Sequence, residues 1–218
     1  MQAWDKVYKE KGKFFLKPHK SIPSVANFFK KRGVKRVLDL GSGTGRHIVY
    51  LTKKGFDVYG FDPSLTGVAL TKKWLNKEHL RAHVRVYDMK KKLPYDDGFF
   101  DAVIATSTIH HNTPSGIKKV IKEIERVLSD KGIIFFTVPK LDLKYSAIHE
   151  KPRKIGFRTY VPTIGIEKGL THFYFTEPLI KRFFKNFTIM DAKFLKEPKR
   201  RIHYNVIAIK KTKNTEHR

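Results

Sequence analysis

Two groups of residues have types and spacings suited to chemistry. The first is Asp39-Leu40-Gly41-Ser42-Gly43-Thr44-Gly45-Arg46, where the apolar run Val37–Leu40 stops at a glycine-rich turn. The turn opens into a segment carrying Ile48, Val49 and Leu51 at amphipathic-helix spacing. Glycines remove Cβ atoms, so a ligand can lie against backbone N–H groups at a helix N-terminus. Asp62 ends the next apolar strand, 19 positions after Gly43, and a carboxylate at that tip can accept both hydroxyls of a ribose. Asp39 can hold an ammonium group or orient the loop. The second group is His110-His111-Asn112, beyond the end of a later strand, where imidazole can take a proton near neutral pH.

The glycine pattern narrows the ligand. A dinucleotide fingerprint asks for a third glycine at position 46 and an apolar residue at 39, but the chain has Arg46 and Asp39. A carboxylate at 39 repels a pyrophosphate and attracts the ammonium of S-adenosylmethionine. The acid, apolar, G-x-G-x-G run from Asp39 to Gly45 resembles the first motif of the class I S-adenosylmethionine-dependent methyltransferases, within them the small UbiE-like (type 11) group. A second stretch resembles the same family: Leu93-Pro94, then Asp97-Gly98, then Phe100-Asp101-Ala102-Val103 before the fourth strand. The resemblance covers residues 34–138 in motifs and 165–209 more weakly.

The resemblance implies S-adenosylmethionine as cofactor, with Asp39, Gly41, Ser42, Gly43 and Gly45 at its amino-acid end, Asp62 and Pro63 at its sugar, and Asp88 and Met89 at its adenine. Thr106 at the end of the fourth strand joins this set. His110 is the candidate general base; His111, His172 and Tyr174 are candidate acceptor contacts. The sulfonium already activates the methyl group, so in-line displacement needs mainly positioning and exclusion of water. A base matters only for an acceptor that arrives protonated. No N/D-P-P-aromatic motif follows the fourth strand, where Thr106-Ser107-Thr108-Ile109 stands, which argues against amine methyltransferases of DNA bases and glutamine.

The elements that must position these groups alternate. The expected fold is α/β: a doubly wound, Rossmann-like three-layer sandwich around a seven-stranded, mostly parallel sheet with an antiparallel last strand. Strands are expected at Arg36–Leu40, Phe56–Asp62, Val84–Tyr87, Val103–Thr108 and Ile133–Val138, the last apolar throughout as a central parallel strand should be. Ser21 reads as an N-cap for a helix to Arg32 closed by Gly33, and Thr113-Pro114 as the start of a helix with stripe Ile117, Val120, Ile121, Ile124 and Val127. Asp130-Lys131-Gly132 reads as a turn into the fifth strand. Residues 140–175 break the alternation and read as an insertion covering the substrate, and Thr176-Glu177-Pro178 opens another helix before the two final, mutually antiparallel strands. The reading is one domain over 1–218, with an N-terminal cover (1–33, offering Trp4 or Tyr8), a cofactor core (34–138), the insertion (140–175) and a C-terminal helix and strands (176–210).

Composition sets the limits. No cysteine stands among the 218 residues, which removes disulfides, thiolate metal sites and cysteine nucleophiles. The longest apolar run, Gly132–Phe136, is too short to span a bilayer, and residues 1–13 show no signal-peptide core, so a cytoplasmic protein without membrane contact is expected. The net charge is +26, concentrated at the flanks: +9 over residues 1–36 and +8 over 177–218, against +5 over 37–139. Basic flanks attract polyanions or simply keep a surface solvated.

Three functions follow. One is methyl transfer to a small molecule, suggested by the insertion. Another is methyl transfer to RNA, suggested by the charge and by a similar His-His in some tRNA wobble-uridine methyltransferases; its mark is binding that weakens steeply with salt. The third is a non-catalytic nucleotide or nucleic-acid binding module on the same fold. No metal is expected: the ten histidines show no ligand spacing, and adjacent His110-His111 chelates poorly. The acceptor and the oligomeric state are not legible.

Overall fold

The structure, a computed structural model, describes residues 2–13, 15–142, 146, 148–195 and 202–212. Helices are α1 (Gln2–Lys11), α2 (Ile22–Lys31), α3 (Arg46–Lys53), α4 (Leu65–Lys77), α5 (Pro114–Val127) and α6 (Glu177–Phe183). Strands are β1 (Arg36–Leu40), β2 (Asp57–Asp62), β3 (His83–Val86), β4 (Phe100–Thr106), β5 (Leu128–Pro139), β6 (Arg153–Gly156), β7 (Thr159–Val161), β8 (His172–Phe173), β9 (Phe187–Leu195) and β10 (His203–Lys210).

Seven strands form the main sheet in the order β3-β2-β1-β4-β5-β10-β9, with β3 to β5 parallel and β10 antiparallel to both neighbours. This is the expected Rossmann-like sheet, and the strand order reverses beside β1. Ligands of such sheets bind at that switch point, outside the carboxyl ends of the strands. Two apolar cores cover its faces. One packs the stripe of α5 and the aromatics of α6 on Leu38, Leu40, Val103 and Phe136; the other packs α2 and α3 on Val37, Val58, Ile104 and Phe135. Alternate residues of β1 and β4 thus face opposite layers, as the period of two requires.

Local differences from expectation have local causes. Residues 2–11, part of the expected N-terminal cover, form α1, a helix not anticipated from the sequence, with Val7 and Tyr8 buried. Ser21 does not cap α2: its hydroxyl lies 3.4 Å from Asn205 Oδ1 on β10, so a tertiary contact takes the group a cap would use. Thr113 and Thr176 do cap their helices, accepting from Gly116 N and Leu179 N. The expected turn at 130–132 lies inside β5, where the register on β4 jumps from Leu128 opposite Phe100 to Ile133 opposite Ala102. β4 starts at Phe100 and stops at Thr106, because Ser107 takes φ +53° and turns the chain. Within the insertion, β6, β7 and β8 form a small separate sheet, tied to the main body where Phe173 N donates to the His110 carbonyl over 2.9 Å.

Candidate active site

The glycine turn after β1 is locked by backbone geometry. Gly41 has φ +75°, and a Cβ there would stand 2.4 Å from Thr108 Cγ2, so only glycine fits. Its N–H and that of Ser42 both donate to the Phe61 carbonyl. Gly43 N donates to Asp62 Oδ2 and Ser64 N to Asp62 Oδ1, each over 2.9 Å. Asp62 therefore holds the turn as well as standing at the β2 tip. Burial pushes its carboxyl up to about 6, against the two backbone donors, which favour the ionised form.

Beneath the turn, Asp39 is fully buried, and neither of its carboxylate oxygens makes a hydrogen bond. A buried carboxylate in this state calls for a cationic partner. His47, a residue that sequence reading missed, stands 3.7 Å away through Nδ1. His47 Nε2 accepts from His19 N over 3.2 Å, so for a neutral ring the proton sits on Nδ1, which lies 3.2 Å from Thr106 Oγ1. Burial lowers the affinity of His47 for a second proton, which keeps the ring neutral near pH 7. The only signal for His47 was a polar residue on the buried stripe of α3.

A cavity of about 320 Å³ opens above these groups at the strand tips. Gly41, Ser42, Gly43, Asp62, Pro63, Asp88, Met89, Thr106 and His111 line it, as do His47 and Thr108. Gly45 does not. It takes φ +85° at the start of α3, and a Cβ there would meet Thr71 on α4 at 2.4 Å, so its glycine serves helix packing. Trp4, Tyr8 and Phe15 roof the cavity from the N-terminal side, and Gly169, Leu170 and Thr171 wall it from the insertion. Asp5 docks α1: its Oδ1 accepts from Ser64 Oγ over 2.6 Å and from Thr66 N over 3.0 Å at the N-terminus of α4, and these bonds hold its carboxyl well below the usual range. Burial pushes the Tyr8 phenol well above its ordinary value.

The candidate acceptor residues separate. His111 reaches the cavity, while His110 and His172 are fully buried behind it and Tyr174 is buried elsewhere. His110 stacks behind His111 with centroids 4.1 Å apart, so of the two rings His111 is the one on the cavity wall. Tyr174 donates its hydroxyl to Glu150 Oε2 over 2.9 Å; it ties the insertion together and does not line the cavity. The expectation of scattered histidines also changes: His110, His111 and His172 meet in space, with one ring nitrogen of each within 4.8 Å of the others. A larger, open groove of about 1170 Å³ lies along α5 and α6, away from the strand tips, with solvated charges such as Lys118 and Lys185 on its rim.

A glycine-turn crevice with an acid at the β1 tip and another at the β2 tip defines a nucleoside-binding class of the doubly wound folds. Comparison with known proteins makes it specific. Residues 37–132 match the methyltransferase domain family. The glycine/sarcosine N-methyltransferase of Halorhodospira halochloris is 30% identical over 136 residues, which cover 60% of this chain and 46% of that one. Among solved structures, a protein of Pyrococcus horikoshii aligns with a TM-score of 0.74 at 21% identity, covering 94% of this chain and 99% of that one. The 1,6-didemethyltoxoflavin-N1-methyltransferase of Burkholderia thailandensis, solved with 1,6-didemethyltoxoflavin and S-adenosylhomocysteine, aligns with a TM-score of 0.70 at 19% identity over 97% and 88% of the two chains. Residues 37–132 thus form a methyltransferase domain of the class I S-adenosylmethionine-dependent kind. The chain spans about half the length of the curated relatives it matches. Among the described residues, no helix is long and apolar enough to cross a membrane.

Proposed function

We propose that the chain is a single-domain enzyme that transfers a methyl group from S-adenosylmethionine to a small-molecule acceptor by in-line displacement in the covered cavity. The observation that carries this reading is Asp39: a fully buried carboxylate without a hydrogen bond, set under Gly41, where a Cβ would collide with Thr108. The ammonium of the cofactor's amino-acid end supplies the charge that site lacks. When bound, the cofactor supplies a sulfonium-activated methyl group.

The chain's own residues then bind, orient and exclude water. Gly41, Ser42 and Gly43 admit the amino-acid end; Asp62 and Pro63 take the sugar; Asp88, Met89 and Thr106 border the base and floor. Residues 1–33 cover the cavity, 34–138 hold the cofactor, 140–175 cover the acceptor, and 176–210 complete the sheet. His111 on the wall takes a proton from an acceptor that arrives protonated, with His110 positioning it from behind. The cavity lies near the small end of the roughly 300–1,000 Å³ span of ligand pockets and is roofed by Trp4, Tyr8 and Phe15, which favours a small acceptor. The glycine/sarcosine relatives support a small acceptor in the same sense.

Titration calorimetry tests the cofactor site: Asp39→Asn and Asp62→Ala should each weaken S-adenosylmethionine by about 100-fold, from lost charge-assisted contacts of roughly 1.5–3 kcal/mol apiece. Incubation with methyl-labelled S-adenosylmethionine and fractionated extract should place label in small metabolites. Label in RNA, with binding that collapses as salt rises, would replace the small-molecule reading.

A further inference from the structure

Three imidazoles and a carboxylate converge on the acceptor side of the cavity. His110 and His111 come from the loop after β4, His172 from β8, and Glu167 from the turn before it. Ring centroids stand 4.1 Å apart for His110 and His111, 4.7 Å for His111 and His172, and 5.4 Å for His110 and His172.

Hydrogen-bond direction identifies what the cluster needs. His111 Nδ1 lies 3.3 Å from the Thr171 carbonyl, which can only accept, so the proton sits on Nδ1 and Nε2 of the neutral ring presents a lone pair. That nitrogen lies 3.7 Å from Glu167 Oε1, itself an acceptor. His172 Nε2 stands 3.4 Å from Glu167 Oε2, and neither ring nitrogen of His172 makes a hydrogen bond although the side chain is fully buried. A lone pair of His111 facing a carboxylate, beside a fully buried His172 whose nitrogens make no hydrogen bond, calls for positive charge between them. A backbone carbonyl that fixes one nitrogen and aims the other inward is the arrangement by which histidines ligate metals.

We infer that His110, His111 and His172 form a site for a borderline divalent transition-metal ion, with Zn²⁺ the foremost candidate and Glu167 neutralising its charge. Zinc ligands sit about 2.0–2.1 Å from the ion, so binding draws the three nitrogens closer than their present spacing. Three nitrogen ligands leave a fourth position. Because His111 also lines the cavity, that position opens on the side where an acceptor heteroatom lies; with its two nitrogens committed to the ion and to the Thr171 carbonyl, His111 is then a ligand and not the proton acceptor, and the cation instead lowers the pKa of a protonated acceptor. Cation binding itself does not depend on the proposed methyl transfer, so the two can fail separately.

The test is Zn²⁺ added to the full chain, read by calorimetry and by imidazole ¹⁵N NMR. One equivalent should bind and move the ring signals of His110, His111 and His172, while exposed His83 stays put. Co²⁺ in place of Zn²⁺ should give the visible bands of a tetrahedral ion. Glu167→Gln, on a partly exposed turn, should weaken Zn²⁺ roughly 10–100-fold, and His172→Ala should abolish stoichiometric binding. The inference is overturned if Zn²⁺ moves none of the three rings. It is equally overturned if a folded Glu167→Gln or His172→Ala chain binds Zn²⁺ as the parent does.

Discussion

At the glycine end of the cavity, the functional groups come from one continuous stretch: Asp39, the turn at 41–43 and Asp62 belong to a single strand, turn, helix, strand unit. At the histidine end they come from places 60 residues apart, since His111 Nδ1 meets the Thr171 carbonyl across that separation. The first end is held by backbone conformation, with positive φ at Gly41 and Gly43 and N–H donors on Phe61 O and Asp62. The second is held by the docking of a small sheet on the loop after β4. An end built locally fails when its backbone is altered; an end built from distant pieces fails when one side chain is removed. The two ends should therefore be separable by mutation, because distant sites without shared partners act additively.

The largest effect expected is for Gly41→Val. The branched side chain must adopt φ +75° and displace Thr108, so stability should fall by roughly 3 kcal/mol and cofactor affinity by more than about 100-fold. Thermal melts and calorimetry read both. The comparison breaks if the same variant, still folded, also loses the shifts that Zn²⁺ induces in the histidine rings.

A smaller effect attaches to pH. With its carboxyl raised to about 6, Asp62 is a weaker acceptor for ribose hydroxyls below that value. Affinity for S-adenosylmethionine should thus drop roughly tenfold per pH unit as pH falls through about 6. The sign for the unliganded chain is opposite. A folded-state pKa above the unfolded one gives stability that is present at about pH 4 and lost as pH rises through about 6, here about 2–3 kcal/mol from this group. Calorimetry with cofactor and melts without it, across that range, should trend in opposite directions. Parallel trends would mean that Asp62 does not bear on the sugar.

The smallest effect is for Tyr174→Phe. Removing the hydroxyl takes a 2.9 Å donor from Glu150, so stability should fall by about 1–2 kcal/mol while the dissociation constant for S-adenosylmethionine stays within twofold or so. A large loss of cofactor binding in this variant would mean that the insertion supports the glycine end as well, and the contrast between the two ends would shrink.

Much of the site was legible because its chemistry rests on short-range patterns. Glycines at 41 and 43, an acid at 39 and another at 62 are read from spacing alone, and the stripes of α3 and α5 follow from the helical period. Less was legible where tertiary contacts override local preference. Ser21 gives its hydroxyl to Asn205 instead of capping α2, and α1 owes its docking to Asp5 meeting the N-terminus of α4 about 60 residues on. Gly45 matched the motif, yet it serves the approach of α3 to α4.

The sequence by itself determined the parallel α/β layers and the glycine crevice between two acids, because strand period, glycine conformation and helix stripes act over a few residues. Only the tertiary structure decided which histidine reaches the cavity, that Tyr174 turns away from it, and that His110, His111 and His172 share one place. Those outcomes depend on how the insertion folds back over the strand tips, and no spacing along the chain encodes a distance closed by packing.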